Sequence, residues 1–295
     1  MVSECFFISG KEWEEKLVRK ENRYQVQENV WKNVEYLTFP LLSEIDAVRH
    51  LFSTRAGGVS KGIYASMNLS YQRGDDPSCV DENFRRIAEV LETTPEHIVC
   101  AKQTHTTNIR KVTGLDGGKG VTRPVDYDHI DGLVTDEPGI VLCTSFADCV
   151  PLYFVDPVKK AIGLAHSGWR GTVAHMGACM VQRMKQEYGS NPKDILAVIG
   201  PSICVDCYEI GEEVAQQVRA TFSEEKILRP GKENGKYQLD LWEANRQVLL
   251  QEGILPEHLE VTDVCTCCNS DLLFSHRASH GQRGNLCAFL ELRKC

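Results

Sequence analysis

Four short apolar runs follow one another through the middle of the chain, at residues 132–135, 140–145, 150–155 and 161–165. DEPG (residues 136–139) separates the first two and DPVKK (residues 156–160) the last two. Runs this short, bounded by Gly, Pro and Asp, read as consecutive strands. A chain that commits its centre to successive strands must build on a sheet, with any helices packed around it. Residues 172–188 carry Val173, Met176, Met180 and Met184 at three- and four-residue spacing, which predicts a helix. Residues 80–91 predict another, with Phe84, Ile87, Ala88 and Leu91 on one side. Weaker helical patterns cover residues 212–222 and 241–252, and strand patterns cover residues 195–199 and 286–292. The expected fold class is α/β (mixed) with a largely mixed or antiparallel central sheet.

No repeat, low-complexity tract or Pro/Ser-rich linker divides the 295 residues. The expected organisation is an N-terminal appendage at residues 1–35, polar and weakly periodic, and one main domain at residues 36–295. The start, MVSECFFISGKEWEEKL, meets charge before an apolar core of a secretory signal can form. The most apolar stretch is broken by Asp148, Pro151 and Asp156, so no membrane span is expected. A net charge of −8 speaks against a nucleic-acid backbone binder, which normally shows a basic face. Thirteen cysteines in a long chain without a signal point to thiols, metal ligands or catalysis rather than a disulfide framework. The expected location is the cytoplasm.

Three residues at the ends of sheet elements draw attention, because sites are commonly built there. They are His105 in AKQTHTTNIRKV, Cys149 in ADCVPLYFVD and His166 in AHSGWRG. Two imidazoles and a thiolate make a zinc set with an open fourth position, the catalytic rather than the structural pattern. Cys149 and His166 alone also fit two satisfied core side chains, or a Cys149 nucleophile with His166 as its base. Spacings of tens of residues do not decide among these.

CTCCNSDLLFSHRASH offers a local competitor: Cys265, Cys268, His276 and His280 in a C-x2-C…H-x3-H order. Its central gap is shorter than in zinc fingers and its middle is apolar. CVDC (Cys204, Cys207) is a lone C-x-x-C, and Cys267 lies beside Cys268. These thiols are read mainly as small buried hydrophobes, with a second zinc site as the lesser alternative. In FSTRAGGVSKGIYASMNLS, Arg55 precedes two glycines and several hydroxyls. That is either a glycine turn with a solvated Arg or an oxyanion clamp, to which Arg170 in GWRG could add charge.

In order along the chain, FSTRAGGVSKGIYASMNLSYQRGDD, KQTH, DGLVTDEPGIVL, ADCVPLYFVDP, AHSGWRGT, IGPSICVDCYEIGEEV and FSHRASHGQRGNLCAFLEL resemble the laccase-domain, or multicopper polyphenol oxidoreductase, family. Members of that family are viewed as purine nucleoside phosphorylases, and the human enzyme FAMIN is similar. The match runs over nearly the whole chain, and ADC followed by AHSGWRG is its most specific part. The resemblance implies a single αββα-type layered domain and a metal held by His105, Cys149 and His166, with zinc preferred and copper the alternative. It departs at KQTHT, where Thr106 stands in place of a glycine, and in the closing SHRASHGQRG.

The implied activity is phosphorolysis of inosine, guanosine, adenosine or 5′-methylthioadenosine, with purine nucleosides and phosphate as partners and adenosine deamination on the same site. Deamination would use a metal-activated water at C6, with Asp148 as proton shuttle or as a carboxylate that only orients a ligand. Arg55 would hold phosphate while charge builds on the leaving purine. Asn68, Gln103 and Arg170 are the expected substrate contacts. A literal laccase needs a many-histidine cluster, and none of the nine histidines forms a His-x-His pair. Two other readings are a Cys149–His166 amidase and a zinc-stabilised binding protein without turnover.

Overall fold

The computed structural model describes Leu17, residues 26–222 and residues 226–294. Its first strands are β1 (Gln27–Trp31), β2 (Val34–Thr38), β3 (Val48–Ser53), β4 (Ile98–Cys100) and β5 (Ile109–Lys111). The central run is β6 (Gly132–Thr135), β7 (Val141–Phe146), β8 (Val150–Asp156) and β9 (Ala161–Ser167). Then come β10 (Leu196–Ile199), β11 (Glu209–Gly211), β12 (Leu228–Pro230), β13 (Lys236–Leu239), β14 (Leu259–Val261) and β15 (Leu286–Leu292). The helices are α1 (Pro40–Ser43), α2 (Pro77–Val90), α3 (Trp169–Val173), α4 (Met176–Tyr188), α5 (Glu212–Thr221) and α6 (Leu241–Gln251).

Two six-stranded mixed sheets form, in the orders β1-β2-β3-β15-β7-β4 and β14-β10-β8-β9-β6-β5, beside a small β11-β13-β12 sheet. The strand alternation explains their stacking. In β7 and β15, Leu142, Phe146, Leu286, Ala288 and Leu290 face one core, which also takes Tyr153, Val155, Ile162 and Leu164 from β8 and β9. The opposite faces supply two further cores. Val141, Cys143, Cys287 and Phe289 pack against Phe84 and Ile87 of α2. Leu152, Phe154 and Ala165 pack against Met176, Met180 and Met184 of α4 and Leu249 of α6. The result is a helix–sheet–sheet–helix layering, as the resemblance implied. The single central sheet of the sequence reading is in fact this pair, because a strand buried on both faces carries no mark of which sheet it joins.

Local chemistry sets the details. Pro77 opens α2 and Asp76 caps it, accepting a hydrogen bond from the Ser78 N–H at 2.9 Å. Gly163 lets α4 lie against β9, since a Cβ there would come within 2.4 Å of Met180 Cε. The Tyr153 hydroxyl, fully buried, donates to the Leu51 carbonyl at 3.0 Å and ties the two sheets together.

The helix predicted over residues 172–188 is two helices. His175, at φ +57°, breaks it between α3 and α4. Both pieces face the same core, so the apolar spacing runs on across the break. The domain boundary expected at residue 36 falls inside β2, which pairs with both β1 and β3. The rest of the expected appendage lies outside the described residues, apart from Leu17 and residues from 26 onward. Among the described residues no helix is long and apolar enough to cross a membrane.

Candidate metal centre and its cavity

The chain crosses from one sheet to the other between β7 and β8, and Ala147, Asp148 and Cys149 make that crossing. His166 stands beside it on β9, directly opposite Pro151 in the ladder. His105 arrives from the loop between β4 and β5. One ligand atom from each of His105, Cys149 and His166 falls within 4.8 Å of the other two. The two imidazole rings meet edge to face at 4.9 Å. The turn after β9 needs Gly168, because a Cβ there would lie 3.0 Å from both Cys149 Sγ and His105 Cδ2.

Asp131, just before β6 and fully buried, organises two of the three side chains. Its Oδ1 lies 2.8 Å from His166 Nδ1 and accepts the His105 N–H at 3.0 Å. Its Oδ2 accepts the N–H groups of Thr104 (3.0 Å) and Thr106 (2.9 Å) and lies 3.0 Å from the Thr106 hydroxyl. The Thr106 hydroxyl thus adds a donor to this carboxylate. Burial would raise the Asp131 pKa, but His166 and the loop N–H groups outweigh it and hold it at about 2. A carboxylate behind a histidine fixes the ring so that its other nitrogen faces a metal.

Burial would likewise raise the Cys149 thiol, but the His166 and His105 imidazoles lower it to about 6. His166 is pushed the other way. Burial lowers it, yet Cys149 and Asp131 carry it up to about 9. Without a metal the pair is therefore thiolate and imidazolium. A divalent cation can take the proton's place, so the donor set fits zinc or copper on chemical grounds.

The three ligands line a cavity of about 480 Å³, within the range of small-molecule sites. Gln103, Ser145 and Asn285 line it too, as do Tyr71, Arg73 and Arg283. Gln103 bridges to the β7 edge, donating to the Ser145 carbonyl at 2.8 Å and accepting its N–H at 2.7 Å. Arg283 is pushed down to about 10, by burial first and by neighbouring Arg73 second. Its Nε–H is buried without a hydrogen-bond partner among the described residues.

Other expected site residues sit elsewhere. Arg55 turns inward: its guanidinium donates to the carbonyls of Ala65 and Ser270, both at 2.9 Å, and stacks on Phe274. Asn68 is fully buried and bonds Ser70, Asp75 and Asn285. Arg170 stacks on Trp169, outside the cavity lining. Asp148, at φ +90°, accepts from the Thr266 hydroxyl and the Arg277 N–H, both at 2.7 Å, so each oxygen already has a donor. Asp131, Arg73 and Arg283 escaped the sequence reading, although DGLVT and HGQRG, which hold Asp131 and Arg283, were among its motifs.

The C-x2-C…H-x3-H competitor does not assemble. Cys265 and Cys268 instead meet Cys204 and Cys207, and neither His276 nor His280 belongs to that group.

Fold and site together define a four-layer mixed α/β chain with an open His2Cys set able to hold a metal ion. The chain belongs to the multi-copper polyphenol oxidoreductase laccase family, whose model matches residues 49–293. It is 42% identical over 245 residues to "Purine nucleoside phosphorylase YlmD" of Geobacillus stearothermophilus, covering 82% of this chain and 89% of the relative. The human "Purine nucleoside phosphorylase LACC1" is 32% identical over 260 residues, 84% of this chain and 56% of that one. The crystal structure of YlmD from Geobacillus stearothermophilus superposes with a TM-score of 0.83 at 38% identity, covering 92% of this chain and 99% of that chain.

Proposed function

We propose that this chain is a zinc-dependent purine nucleoside phosphorylase. It takes inosine, guanosine, adenosine or 5′-methylthioadenosine to the free base and sugar 1-phosphate, and it deaminates adenosine at the same site. One observation carries the reading: the His105, Cys149 and His166 set shares its cavity with two guanidinium groups, Arg73 and Arg283. The names of the relatives support the same substrate class.

In phosphorolysis the bond from C1′ to the purine nitrogen breaks with its electrons leaving on the base, and a phosphate oxygen bonds C1′. The anion needs a cationic seat in an acidic protein. Arg283 offers it a buried, unpartnered Nε–H, and Arg73 adds a second charge beside it. Arg55 and Arg170, the phosphate candidates of the sequence, give way to this pair. His105, Cys149 and His166 would hold the zinc, which when bound would supply Lewis acidity and the means to activate water near neutral pH. Asp131 keeps His166 oriented for it. Asp148, with both oxygens engaged, positions the Cys149 turn, the second of the two roles open to it. Gln103, Tyr71 and Ser145 are within the cavity to orient base or ribose. A thiol-rich chain suits a reducing compartment, and the cytoplasm is the proposed location.

The copper-laccase reading lacks a donor set. Among the described residues, the only metal-capable group with histidines has two of them.

A second reading has its own observation. Cys149, His166 and Asp131 also stand in the order thiolate, imidazole, carboxylate of a cysteine hydrolase. Metal and nucleophile use the same sulfur, so one experiment separates them. Metal content is measured, and inosine is incubated with and without phosphate. Phosphate-dependent hypoxanthine release that vanishes in Cys149→Ala supports the phosphorylase. A metal-free protein whose Cys149 alkylates rapidly overturns it in favour of the hydrolase.

A further inference from the structure

Two C-x-x-C pairs that are far apart in sequence meet in space. Cys204 and Cys207 lie on the turn after β10, and Cys265 and Cys268 on the turn after β14. The turns are brought together by the parallel pairing of β10 with β14 and by the bridge that continues it at Ser202 and Cys265. All four sulfurs fall within 4.8 Å of one another. The Sγ atoms of Cys207 and Cys268 are 3.5 Å apart, and all four residues are reduced thiols.

From this we infer a second metal site, a closed tetrathiolate zinc centre formed by Cys204, Cys207, Cys265 and Cys268. Three features carry it. A tetrahedron with Zn–S bonds of about 2.3 Å places its sulfurs roughly 3.8 Å apart, the spacing that this cluster already approaches. An iron–sulfur cluster would set several irons and sulfides between the thiolates and spread them further. The backbone also meets the charge that four thiolates would bring: the N–H groups of Cys204 and Cys268 both point at Cys265 Sγ, at 3.2 and 3.4 Å. Such N–H donors are what a metal-bound thiolate in a C-x-x-C turn requires around it. Finally, none of the four cysteines lines the 480 Å³ cavity, and all ligand positions are protein sulfurs. A closed site away from the cavity is structural rather than catalytic.

The centre has a definite mechanical task. The two turns that it joins are the ones that grip Asp148. The Ile203 N–H donates to the Asp148 carbonyl at 2.9 Å, and Thr266 donates to its carboxylate. Arg277, whose N–H donates to the other carboxylate oxygen, reaches back to the carbonyls of Cys207 and Glu209 at 2.9 and 3.0 Å. Asp148 precedes Cys149 in the chain, so the cluster braces the turn that presents one ligand of the first centre. Binding is written simply: four thiols lose their protons and one Zn²⁺ is held by four sulfurs, with no change of oxidation state.

The test is metal stoichiometry of the full chain, purified under reducing conditions and repleted with zinc. Wild type is expected to hold two zinc ions per chain, His105→Ala/Cys149→Ala one, and Cys268→Ser one. Cobalt reconstitution of the His105→Ala/Cys149→Ala protein should give the intense sulfur-to-cobalt charge-transfer bands of a tetrahedral tetrathiolate. That variant leaves the cysteine cluster intact, so it decides the matter even if Cys268→Ser fails to fold. A wild-type zinc that is lost in the His105→Ala/Cys149→Ala protein, or disulfides among the four cysteines under reducing conditions, would each overturn the assignment, whereas a single zinc that survives in that variant places the ion in the cysteine cluster. These outcomes are independent of whether the protein cleaves nucleosides.

Discussion

His166 Nδ1 and Asp131 Oδ1 stand 2.8 Å apart in the interior, and the same carboxylate gathers three consecutive N–H groups of the loop that carries His105. One buried side chain therefore orients His166 and folds the loop that carries His105. Asp131→Asn keeps the shape but loses the charge that His166 needs. Removing such a partner typically costs about 10–100-fold in metal affinity. Chelator competition should show a loss of that order, and an unchanged affinity would mean that Asp131 only folds the loop.

Gly168 offers a steric test of the same centre. Its φ of −72° is ordinary for any residue, so Gly168→Ala adds no backbone strain, only a methyl pressed on Cys149 Sγ and His105 Cδ2. The variant should keep its circular dichroism spectrum while losing at least one order of magnitude in metal affinity or turnover, a loss of about 1.4 kcal/mol or more. Full activity would show that the ligands sit elsewhere.

Arginine roles separate by kinetics. Arg283→Ala should raise the KM for phosphate by at least tenfold while moving the nucleoside KM much less, as expected when a charged contact to one substrate is lost. Arg55→Ala should do the opposite. It leaves the Ala65 and Ser270 carbonyls without their donor, and a loss of about 1–3 kcal/mol should appear as a lower Tm without a selective phosphate effect. Equal phosphate effects in the two variants would return Arg55 to the site.

Glu260 gives the fold a pH dependence of known sign. It is 1% exposed, accepts one N–H from Leu41 at 2.9 Å, and burial pushes its pKa up to about 7. A carboxyl raised above its unfolded value contributes stability below about pH 4.5 that is lost as pH rises through about 7. The shift corresponds to about 3 kcal/mol by pH 8. His50, lowered to about 3 by burial, works the other way: its contribution is present above 6.5 and lost toward acid. His50 is common to both proteins, so the difference between wild type and Glu260→Gln isolates the glutamate. The variant should gain in Tm relative to wild type between pH 5 and 8, and parallel curves would refute the assignment.

The sequence spoke clearly where one residue pattern has one meaning. The strands at residues 132–135 and 286–292 were bounded to the residue, because apolar runs and turn residues mark both ends. Which sheet each strand joins stayed hidden. β7 and β8 are neighbours in the chain yet belong to different sheets, and both are apolar on both faces. That His105, Cys149 and His166 belong together was legible from residue chemistry sharpened by the family's motifs. Asp131 was not, since a carboxylate that collects loop N–H groups is defined only once the loop is folded. The direction of Arg55 was hidden for a related reason: a glycine-rich loop looks the same whether its guanidinium faces a ligand or the protein's own carbonyls. The cysteine cluster was invisible because its halves lie 61 residues apart, each an unremarkable C-x-x-C alone.

The most direct measurement is product analysis of inosine turnover by zinc-repleted protein. With inorganic phosphate present, hypoxanthine and ribose 1-phosphate should appear in equal amounts; both should disappear when phosphate is omitted and in Cys149→Ala. Hypoxanthine accompanied by free ribose, or release that ignores phosphate, would contradict phosphorolysis at the His105, Cys149 and His166 centre.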